Sequence, residues 1–280
     1  MRKQCQQPSK SLLILDETWH KARCYGGVMI SGIFITGASS GLGAALAVAY
    51  ATPNSHLFLS GRDTLRLNTV VDSCRSKGAQ ASVRAVDVTD GPALAQWITD
   101  AEAIAPLALV IANAGISGGT GGGAKEPDNQ TRKIFAVNLD GVVNTVLPAI
   151  AVMRPRHRGQ IALISSVAGF RGQPSAPAYS ASKAAVRVWG EGLRGSLAKE
   201  GIGVTVICPG FVETRMTAVN RFPMPFLMPA DRAAGLMRRA IDANRARLTY
   251  PWPMAVMSWL LAALPPAWTD PLLTRLPGKD

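Results

Sequence analysis

Histidine and cysteine are scarce in this chain of 280 residues, which contains three histidines and four cysteines. The cysteines, which are Cys5, Cys24, Cys74 and Cys208, form no C-x-x-C pair and have no histidine cluster beside them. This spacing predicts no zinc or other metal site. Cysteines without a pairing pattern favour reduced thiols, so we expect a reducing compartment and a cytoplasmic location.

The start of the chain lacks the apolar run of a secretory signal. Its apolar stretch at 12–15 is four residues long and is followed by Asp16 and Glu17, whereas a signal sequence needs about 7–15 apolar residues. We therefore expect no signal peptide. Residues 1–28 show no helical periodicity, and Met29 stands where a domain could begin, so we interpret 1–28 as an N-terminal extension that contributes little to the core.

Acidic residues are fewer than basic ones, with 18 Asp and Glu against 30 Lys and Arg and a formal net charge of +12. Such a charge attracts phosphorylated cofactors, acidic lipid surfaces and nucleic acids alike. No basic stretch with interleaved aromatic residues occurs, so the sequence predicts no nucleic-acid partner. Hydrophobic residues make up 48% of the chain, which excludes global disorder and allows a large core.

From Ile30 onward, short apolar runs alternate with longer stretches of helical periodicity. The predicted strands are 32–36, 56–60, 81–86, 107–111, 160–164, 203–207 and 246–250. The predicted helices are 41–52, 63–77, 91–104, 130–152 and 178–200, with Asp63 and Asp90 as caps and Pro92 in a first turn. This alternation is typical of an α/β fold, here a single doubly wound parallel sheet of about seven strands over residues 29–250.

Two local motifs point to chemistry. The run Thr36–Gly43 reads T-G-x-x-x-G-x-G between a strand and a helix, where glycines permit a tight turn and free N–H groups at the helix start face an anion. Tyr179 and Lys183 are four residues apart on one helix face, and a nearby cation lowers the pKa of a phenol, which is near 10 when free. Taken singly, the glycine run is weak evidence, because a structural turn would look similar. An exposed tyrosine and a solvated lysine are the better interpretation of Tyr179 and Lys183 when this pair is considered alone.

Further blocks follow the other predicted strands. They are Asp87-Val88 after the third, Asn113-Ala114-Gly115 after the fourth, Asn138 within a helix, Ser165-Ser166 after the fifth, and Pro209-Gly210 with Val212 and Thr214 after the sixth. In this order and spacing the set resembles the short-chain dehydrogenase/reductase family over roughly residues 30–250. Ala112 departs from the pattern, because many members carry a further asparagine there.

The resemblance implies a Rossmann fold and hydride transfer between a nicotinamide cofactor and a carbonyl or alcohol. Tyr179 would be the acid or base, Lys183 would lower its pKa and bind the nicotinamide ribose, and Ser166, not Ser165, would hold the carbonyl oxygen. Asn138 would hold a water that links Lys183 to solvent. The implied cofactor-binding residues are Gly37, Ser39, Ser40, Gly41, Leu42, Gly43, Asp87, Val88, Asn113, Ala114, Gly115, Tyr179, Lys183, Pro209, Gly210, Val212 and Thr214.

The end of the second predicted strand bears on cofactor choice. An NAD-specific site places an acid there to bind the ribose 2′-OH, whereas this chain has Gly61 followed by Arg62. A guanidinium can bind a 2′-phosphate through two hydrogen bonds, so the sequence favours NADP(H) over NAD(H), with Arg62 as a further cofactor ligand. Asp63 is interpreted as the cap of the next helix.

The substrate side is apolar. Residues 222–229 are rich in proline, phenylalanine and methionine, which suits a hydrophobic ketone or aldehyde, although packing on the core or on a partner subunit is the alternative. We expect a homodimer or homotetramer. The glycine-rich segment 117–124 is predicted to be a loop beside the ligand.

The segment 251–280 forms an apolar C-terminal tail. No charged residue occurs from Leu248 to Thr269, and its prolines leave only about 254–264 uninterrupted, whereas a membrane span needs about 20 residues. Its tryptophans, with Arg245, Arg247 and Arg275 nearby, suit a peripheral membrane contact through 251–269. A subunit contact or a flap over the substrate pocket is slightly favoured, because four prolines break the helix that an interfacial anchor needs.

Together these features predict an enzyme, an NADP(H)-dependent oxidoreductase that interconverts an apolar carbonyl compound and its alcohol. Reduction is favoured because the NADP pool is usually kept reduced. The alternative is a non-catalytic NADP-binding sensor on the same fold. Sensors commonly lose the tyrosine or lysine, whereas this chain keeps Ser166, Tyr179, Lys183 and Asn138.

Overall fold

The computed structural model describes residues 31–121, 125–220 and 222–275, so the predicted extension 1–28 lies outside the described residues. Seven parallel strands form one sheet in the order β3-β2-β1-β4-β5-β6-β7. The strands are β1 Ser31–Thr36, β2 Ser55–Gly61, β3 Gln80–Ala85, β4 Leu107–Ala112, β5 Gly159–Ile164, β6 Ile202–Pro209 and β7 Arg247–Tyr250. The prediction of a doubly wound, seven-stranded parallel sheet is confirmed.

Helices flank the sheet and connect its strands. They are α1 Gly41–Tyr50, α2 Thr64–Arg75, α3 Gly91–Ile104, α4 Asp128–Phe135, α5 Gly141–Met153, α6 Pro177–Leu197, α7 Ala230–Asp242, α8 Trp252–Ala263 and α9 Pro266–Leu273. The Asp63 and Asp90 carboxylates accept N–H groups in the first turns of α2 and α3, as the sequence predicts.

The sheet is covered on both faces, which explains why its strands are nearly continuous apolar runs. Along β1, Ile33 and Ile35 face a core formed with α1, α2 and α7, while Phe34 faces the opposite core formed with α3, α5 and α6. In the second core the Trp97 ring lies edge-on to Phe34 and Phe58, with centroids 6.1 and 5.8 Å away. Successive side chains of a strand therefore pack alternately against the two layers of helices, and both faces of the sheet need apolar residues.

One predicted helix is divided. Instead of a single helix over 130–152, a π-helical turn at Ala136–Asp140 separates α4 from α5, and Asn138 lies in that turn. The hydrophobic period continues across the turn, so sequence periodicity alone did not reveal it. By length and composition the stretch 128–156 could cross a membrane, but half of its apolar window is buried in the fold, and a core helix passes the same test.

The apolar tail forms two helices, α8 and α9, and not one interrupted helix. Pro253 and Pro266 lie in the first turns of these helices, where a missing N–H costs little, so the prolines begin helices here. Helix α8 packs against β7 and the short turn Val167–Gly169 that follows β5. This position places the tail at the carboxyl edge of the sheet.

Strand order reverses between β1 and β4. These strands are hydrogen-bonded neighbours although β2 and β3 lie between them in the chain. In open α/β sheets the connections leave opposite neighbouring strands on opposite sides at such a point, which opens a crevice at the carboxyl edge. The segments after β1 and β4 therefore meet there, and they carry the glycine turn and Asn113.

Candidate active site

A cavity of about 710 Å³ opens at the carboxyl edge of the sheet. Every residue that the sequence predicts to bind cofactor, including Arg62, lines it, and so does Ser166. Asn138 does not line the cavity and is fully buried. The structure thus brings the predicted residues from seven segments of the chain around one volume.

The glycine turn after β1 leaves no room for side chains. Gly37 and Gly41 have φ values of +65° and +56°, which favour glycine. A Cβ atom on Gly43 would lie 2.2 Å from the carbonyl oxygen of Gly37. Ser40 precedes α1 without a side-chain hydrogen bond to the helix start, so the first N–H groups of α1 remain for an anion in the cavity. These features fit the diphosphate of a dinucleotide.

Asn113 holds this turn in place. Its side-chain amide donates to the carbonyl oxygens of Thr36, at 2.9 Å, and of Gly37, at 3.2 Å. The Thr36 hydroxyl in turn accepts the backbone N–H groups of Asn113 and Ala114, at 3.1 and 3.2 Å. Both protons of the Asn113 amide are used within the protein, so its side chain supports the turn while its backbone faces the cavity.

Tyr179 and Ser166 form a hydrogen-bonded pair in the cavity wall. Tyr179 lies in the first turn of α6, and Ser166 precedes the turn Val167–Gly169, whose Ala168 N–H it accepts at 3.1 Å. The neighbouring Ser165 hydroxyl donates instead to the backbone carbonyl of Lys183, at 2.7 Å. The structure therefore places Ser166, and not Ser165, against the tyrosine.

Burial dominates the acidity of the tyrosine. Desolvation raises the pKa of Tyr179 above its ordinary value, and the hydrogen bond with Ser166 lowers it by a smaller amount. The Lys183 ammonium lies 5.9 Å from the centre of the tyrosine ring and donates to the Ile164 carbonyl at 3.0 Å. The sequence-based expectation of a lowered pKa considered the cation alone and omitted the opposing effect of burial.

Asn138 lies near Lys183 and holds the loop at Gly115 and Ile116 by hydrogen bonds. Its Oδ1 accepts the N–H of Ile116 at 2.7 Å, while its Nδ2 donates to the Ile116 carbonyl at 2.9 Å and the Ser182 hydroxyl at 3.1 Å. A Cβ on Gly115 would lie 3.2 Å from Asn138 Oδ1 and 3.3 Å from Lys183 Nζ. The glycine thus permits the close approach of both side chains to this loop.

The end of β2 places charged side chains at one end of the cavity. Arg62 Nη1 is 3.7 Å from Asp87 Oδ2, and both residues line the volume with Gly61. Burial alone raises the pKa of Asp87, but two hydrogen bonds from Thr89 and the nearby Arg62 and Lys133 charges outweigh it, so the net direction is downward. Sequence reasoning missed Arg66, a second guanidinium in this lining, which lies one helical turn beyond Arg62.

Sequence reasoning also missed Glu126, a buried carboxylate that caps the tyrosine-bearing helix from a distance. Glu126 Oε2 accepts the N–H of Ala178 at 3.1 Å, in the first turn of α6. Ala176, the residue just before α6, has no side chain that could cap the helix. Gln130 and Thr131 donate to the same carboxylate, each at 3.3 Å. Because Glu126 and Ala178 are 52 positions apart, no local capping pattern in the sequence could indicate this contact.

The other end of the cavity is apolar. Phe211 and Phe222 pack edge to face with ring centroids 6.0 Å apart. Further apolar lining residues are Phe170, Met216, Pro223, Pro225, Met254, Met257, Leu261 and Leu273. The predicted wall at 222–229 therefore contributes in part, since Phe226 and Leu227 are exposed. Helices α8 and α9 supply much of the rest, as in the flap alternative for the tail.

Metal ligands and reactive thiols are not features of this region. Within residues 31–121, 125–220 and 222–275, no group of three or more His, Cys, Asp or Glu side chains is placed to hold a metal ion. Cys74 and Cys208 are buried free thiols, and burial raises the pKa of each to about 11. Cys5 and Cys24 lie outside the described residues.

Comparison with known proteins identifies the family. A family model described as short chain dehydrogenase matches residues 31–223. The chain belongs to the short-chain dehydrogenase family. An uncharacterized oxidoreductase of Myxococcus xanthus is 39% identical over 244 residues, covering 86% of this chain and 96% of that protein. A putative ketoacyl reductase of the monensin polyketide synthase from Streptomyces virginiae is 34% identical over 185 residues, covering 65% of this chain and 70% of its own.

Solved structures of short-chain dehydrogenases share the fold. One from Sphingobium yanoikuyae in complex with NADPH has a TM-score of 0.74 at 23% identity and covers 88% of this chain and 96% of its own. One from Mycobacterium paratuberculosis bound to NAD has a TM-score of 0.71 at 23% identity and covers 80% of this chain and 97% of its own. The chain is thus a short-chain dehydrogenase by sequence and by architecture.

The glycine turn of this dehydrogenase yields a first test. Gly43→Ala forces a methyl group onto the Gly37 carbonyl, so the turn must shift, and we expect dinucleotide binding to weaken by roughly 1–3 kcal/mol. Gly192→Ala in α6 is the matched control, because nothing lies within 4 Å of the added carbon. Titration of each variant with NADPH and NADH by fluorescence measures the effect. Unchanged affinity in Gly43→Ala would show that the turn does not contact the dinucleotide.

Glu126 provides a second test in the dehydrogenase. Glu126→Ala removes the acceptor of the Ala178 N–H, and we expect kcat to fall by about tenfold or more with little change in cofactor affinity, because Tyr179 is displaced. Glu126→Gln keeps one acceptor oxygen and should restore most of the turnover. Steady-state kinetics well below the melting temperature provide the measurement. A lower Tm with unchanged kcat would limit Glu126 to stabilising the fold.

Proposed function

We propose that this short-chain dehydrogenase reduces an apolar ketone or aldehyde with NADPH. The observation that carries the proposal is the hydrogen-bonded pair of Tyr179 and Ser166, which faces the same cavity as Lys183 and the glycine turn. The name of the Streptomyces virginiae relative, a putative ketoacyl reductase, supports the direction of reaction.

The residues of the cavity fit a nicotinamide dinucleotide. The turn at Gly37–Gly43 offers backbone N–H groups for a diphosphate, its three glycines leave room for close approach, and Asp87 and Val88 would bound the adenine end. Thr214 lies against Gly41, where a Cβ would be 3.1 Å from the Thr214 methyl, and it would contact the cofactor beyond the diphosphate, at the nicotinamide end. When bound, the nicotinamide ring supplies the hydride to the carbonyl carbon.

Tyr179 would supply the proton. Its pKa is raised by burial, so the phenol is protonated at neutral pH and can donate its proton to the substrate oxygen as negative charge develops there. Ser166 would hold that oxygen by a hydrogen bond, and the Lys183 ammonium would stabilise the phenolate that remains. The reduction rate should fall as pH rises through the pKa of Tyr179, because the proton donor is then lost.

A proton must return to Tyr179 from solvent, and we propose that Lys183 and Asn138 mediate this step. Both N–H groups of the Asn138 amide are bound by protein acceptors, so a relay water can be held only by oxygen lone pairs. The Ile116 carbonyl and Asn138 Oδ1 both provide such lone pairs close to Gly115 and the Lys183 ammonium.

Charge at the adenine end favours NADPH over NADH in this proposal. Arg62 and Arg66 both line that end, and Gly61 places no carboxylate against a 2′-phosphate. Asp87 is close to Arg62, but their 3.7 Å contact is partly exposed and therefore weak. A 2′-phosphate carries more charge than one carboxylate and can bind a guanidinium through two hydrogen bonds.

Replacing Tyr179 tests the chemistry. Tyr179→Phe keeps the ring and removes the hydroxyl, so we expect turnover with a panel of apolar ketones and aldehydes to fall by about 10²–10⁴-fold while NADPH affinity is retained. NADPH oxidation is followed by absorbance. Wild-type turnover in the variant would remove Tyr179 from the mechanism. If the wild type itself bound NADPH but reduced none of the panel, the alternative of a non-catalytic sensor would gain support.

Two substitutions at the end of β2 test the cofactor preference. Arg62→Ala should weaken NADPH binding by on the order of 1.5–3 kcal/mol and leave NADH binding nearly unchanged. Gly61→Asp should favour NADH, and the backbone there accepts a side chain, because an added Cβ meets its nearest neighbour, Ser39, at an ordinary 3.4 Å. Equal losses for both cofactors in Arg62→Ala would show that Arg62 does not contact the 2′-phosphate.

A further inference from the structure

Helix α8 contains no charged residue, and its two faces have different surroundings. Met254, Met257 and Leu261 follow one another at helical spacing on the face that lines the cavity. Trp252 and Trp259 lie on the opposite face and are 76% and 60% exposed. A helix that is apolar on both faces is ordinarily buried on both, so the outer face of α8 is anomalous within the described part of the chain.

Helix α9, which follows α8 in the chain, also exposes apolar side chains, Trp268 and Leu272. We call the combined area the outer tail surface, and its exposed apolar residues are Trp252, Val256, Trp259, Leu260, Leu264, Trp268 and Leu272. Scattered single apolar residues are normal on protein surfaces, but Trp252, Val256, Trp259 and Leu260 follow one another at helical spacing on one face of α8, and an apolar stripe of this kind marks a binding surface. Its three tryptophans distinguish it further, because this side chain combines a large apolar ring with an N–H donor.

We propose that the outer tail surface binds the interface of an anionic lipid membrane. Tryptophan is the side chain enriched at the level of lipid headgroups, where its ring is buried and its N–H stays in contact with water. Helix α8 has 12 residues and is therefore about 18 Å long, too short to cross a hydrocarbon core of about 30 Å. A short helix with one exposed apolar face is suited to lie in the plane of the interface.

Charge favours anionic lipid over a second copy of this chain as the occupant. Residues 244–275 contain three arginines, Arg245, Arg247 and Arg275, and one acid, Asp270. Asp270 is paired with Arg171, and Arg247 is paired with Glu191, so Arg245 and Arg275 carry most of the argument. The whole chain carries a formal charge of +12. A second copy docked on this surface would bring like-charged tails together, whereas a negatively charged membrane attracts the chain, and every basic residue near the surface adds to that attraction.

The two alternatives that the sequence leaves for the tail use different faces of one helix. The inner face of α8 lines the cavity, and the outer face would lie on lipid. Met257 both lines the cavity and is half exposed, so the cavity approaches the protein surface beside the outer tail surface. Docking would place this side of the cavity next to the phase in which apolar molecules concentrate. Lipid binding itself does not rest on the proposed reaction.

Sedimentation of the full chain with vesicles tests the surface without any turnover. We expect binding to phosphatidylglycerol–phosphatidylcholine vesicles that weakens as salt is raised, with little binding to phosphatidylcholine alone. Trp259→Glu should lower the partition coefficient by about tenfold or more while leaving turnover of a water-soluble carbonyl unchanged. Ile104→Glu is the matched control, because Ile104 is 57% exposed at the end of α3, on the opposite edge of the sheet, and this variant should bind like the wild type.

Several outcomes would overturn the proposal. One is wild-type protein that stays in the supernatant with anionic vesicles, and another is an equal loss of binding in Ile104→Glu. If vesicles bind nothing and Trp259→Glu converts an oligomer into a smaller species in sedimentation velocity, the surface is a contact between copies. Should Trp259→Glu fail to fold by circular dichroism, Trp252→Glu on the same face replaces it, and unchanged vesicle binding in that folded variant would equally refute the proposal.

Discussion

The close approach of helix α1 to the turn that precedes it is the constraint on which the site depends. The helix backbone at Gly43 lies against the Gly37 carbonyl so closely that a single methyl group would overlap it. Thr36 and Asn113 hold this arrangement by hydrogen bonds between the ends of β1 and β4. Because those strands are neighbours at the reversal of strand order, the start of α1 opens directly into the cavity.

The helix that carries the tyrosine is held by polar contacts from outside itself. The Glu126 carboxylate binds its first turn, and the Ser165 hydroxyl binds the Lys183 carbonyl one turn further on. Lys183 is itself buried, which is costly for an ammonium unless acceptors surround it, and the Ile164 carbonyl is one of them. The reactive groups thus depend on buried polar partners from two separate segments of the chain, Glu126 and the end of β5 at Ile164 and Ser165.

The sheet and the lining of the cofactor end were predictable because their signals are local. Apolar runs mark the strands, Asp63 and Asp90 cap the helices that follow them, and the glycine and tyrosine motifs lie in short consecutive blocks. Contacts between distant segments were not predictable. Glu126 meets α6 only through the tertiary fold, and a prediction that considers neighbouring charges alone misses the burial that raises the pKa of Tyr179.

Proline in the tail and asparagine at the π-helical turn illustrate ambiguity of a different kind. Pro253 and Pro266 would break a helix in its interior but are compatible with its first turn, so their effect depends on where the helix begins. Around Asn138 the hydrophobic period continues through the turn, and the turn differs from a regular helix in its backbone hydrogen bonds, since the Gly141 N–H donates to the Ala136 carbonyl five residues before it. Hydrophobic periodicity therefore predicts that a segment is helical more reliably than it predicts where the helix begins or is interrupted.

Gly169 has a further consequence for how the reaction geometry is maintained. A Cβ atom there would lie 2.7 Å from the backbone carbon of Lys183, so the short turn after Ser166 presses directly on the backbone of α6. Because the contact joins the backbone at Gly169 to the backbone of α6, no side-chain rotamer can change the distance between Ser166 and the helix that carries Tyr179. Their relative position is therefore preorganised, and little conformational entropy remains to be lost when a substrate oxygen is aligned between them. Substitutions in the apolar lining of the cavity can then change which substrates bind without changing the alignment of Ser166 and Tyr179.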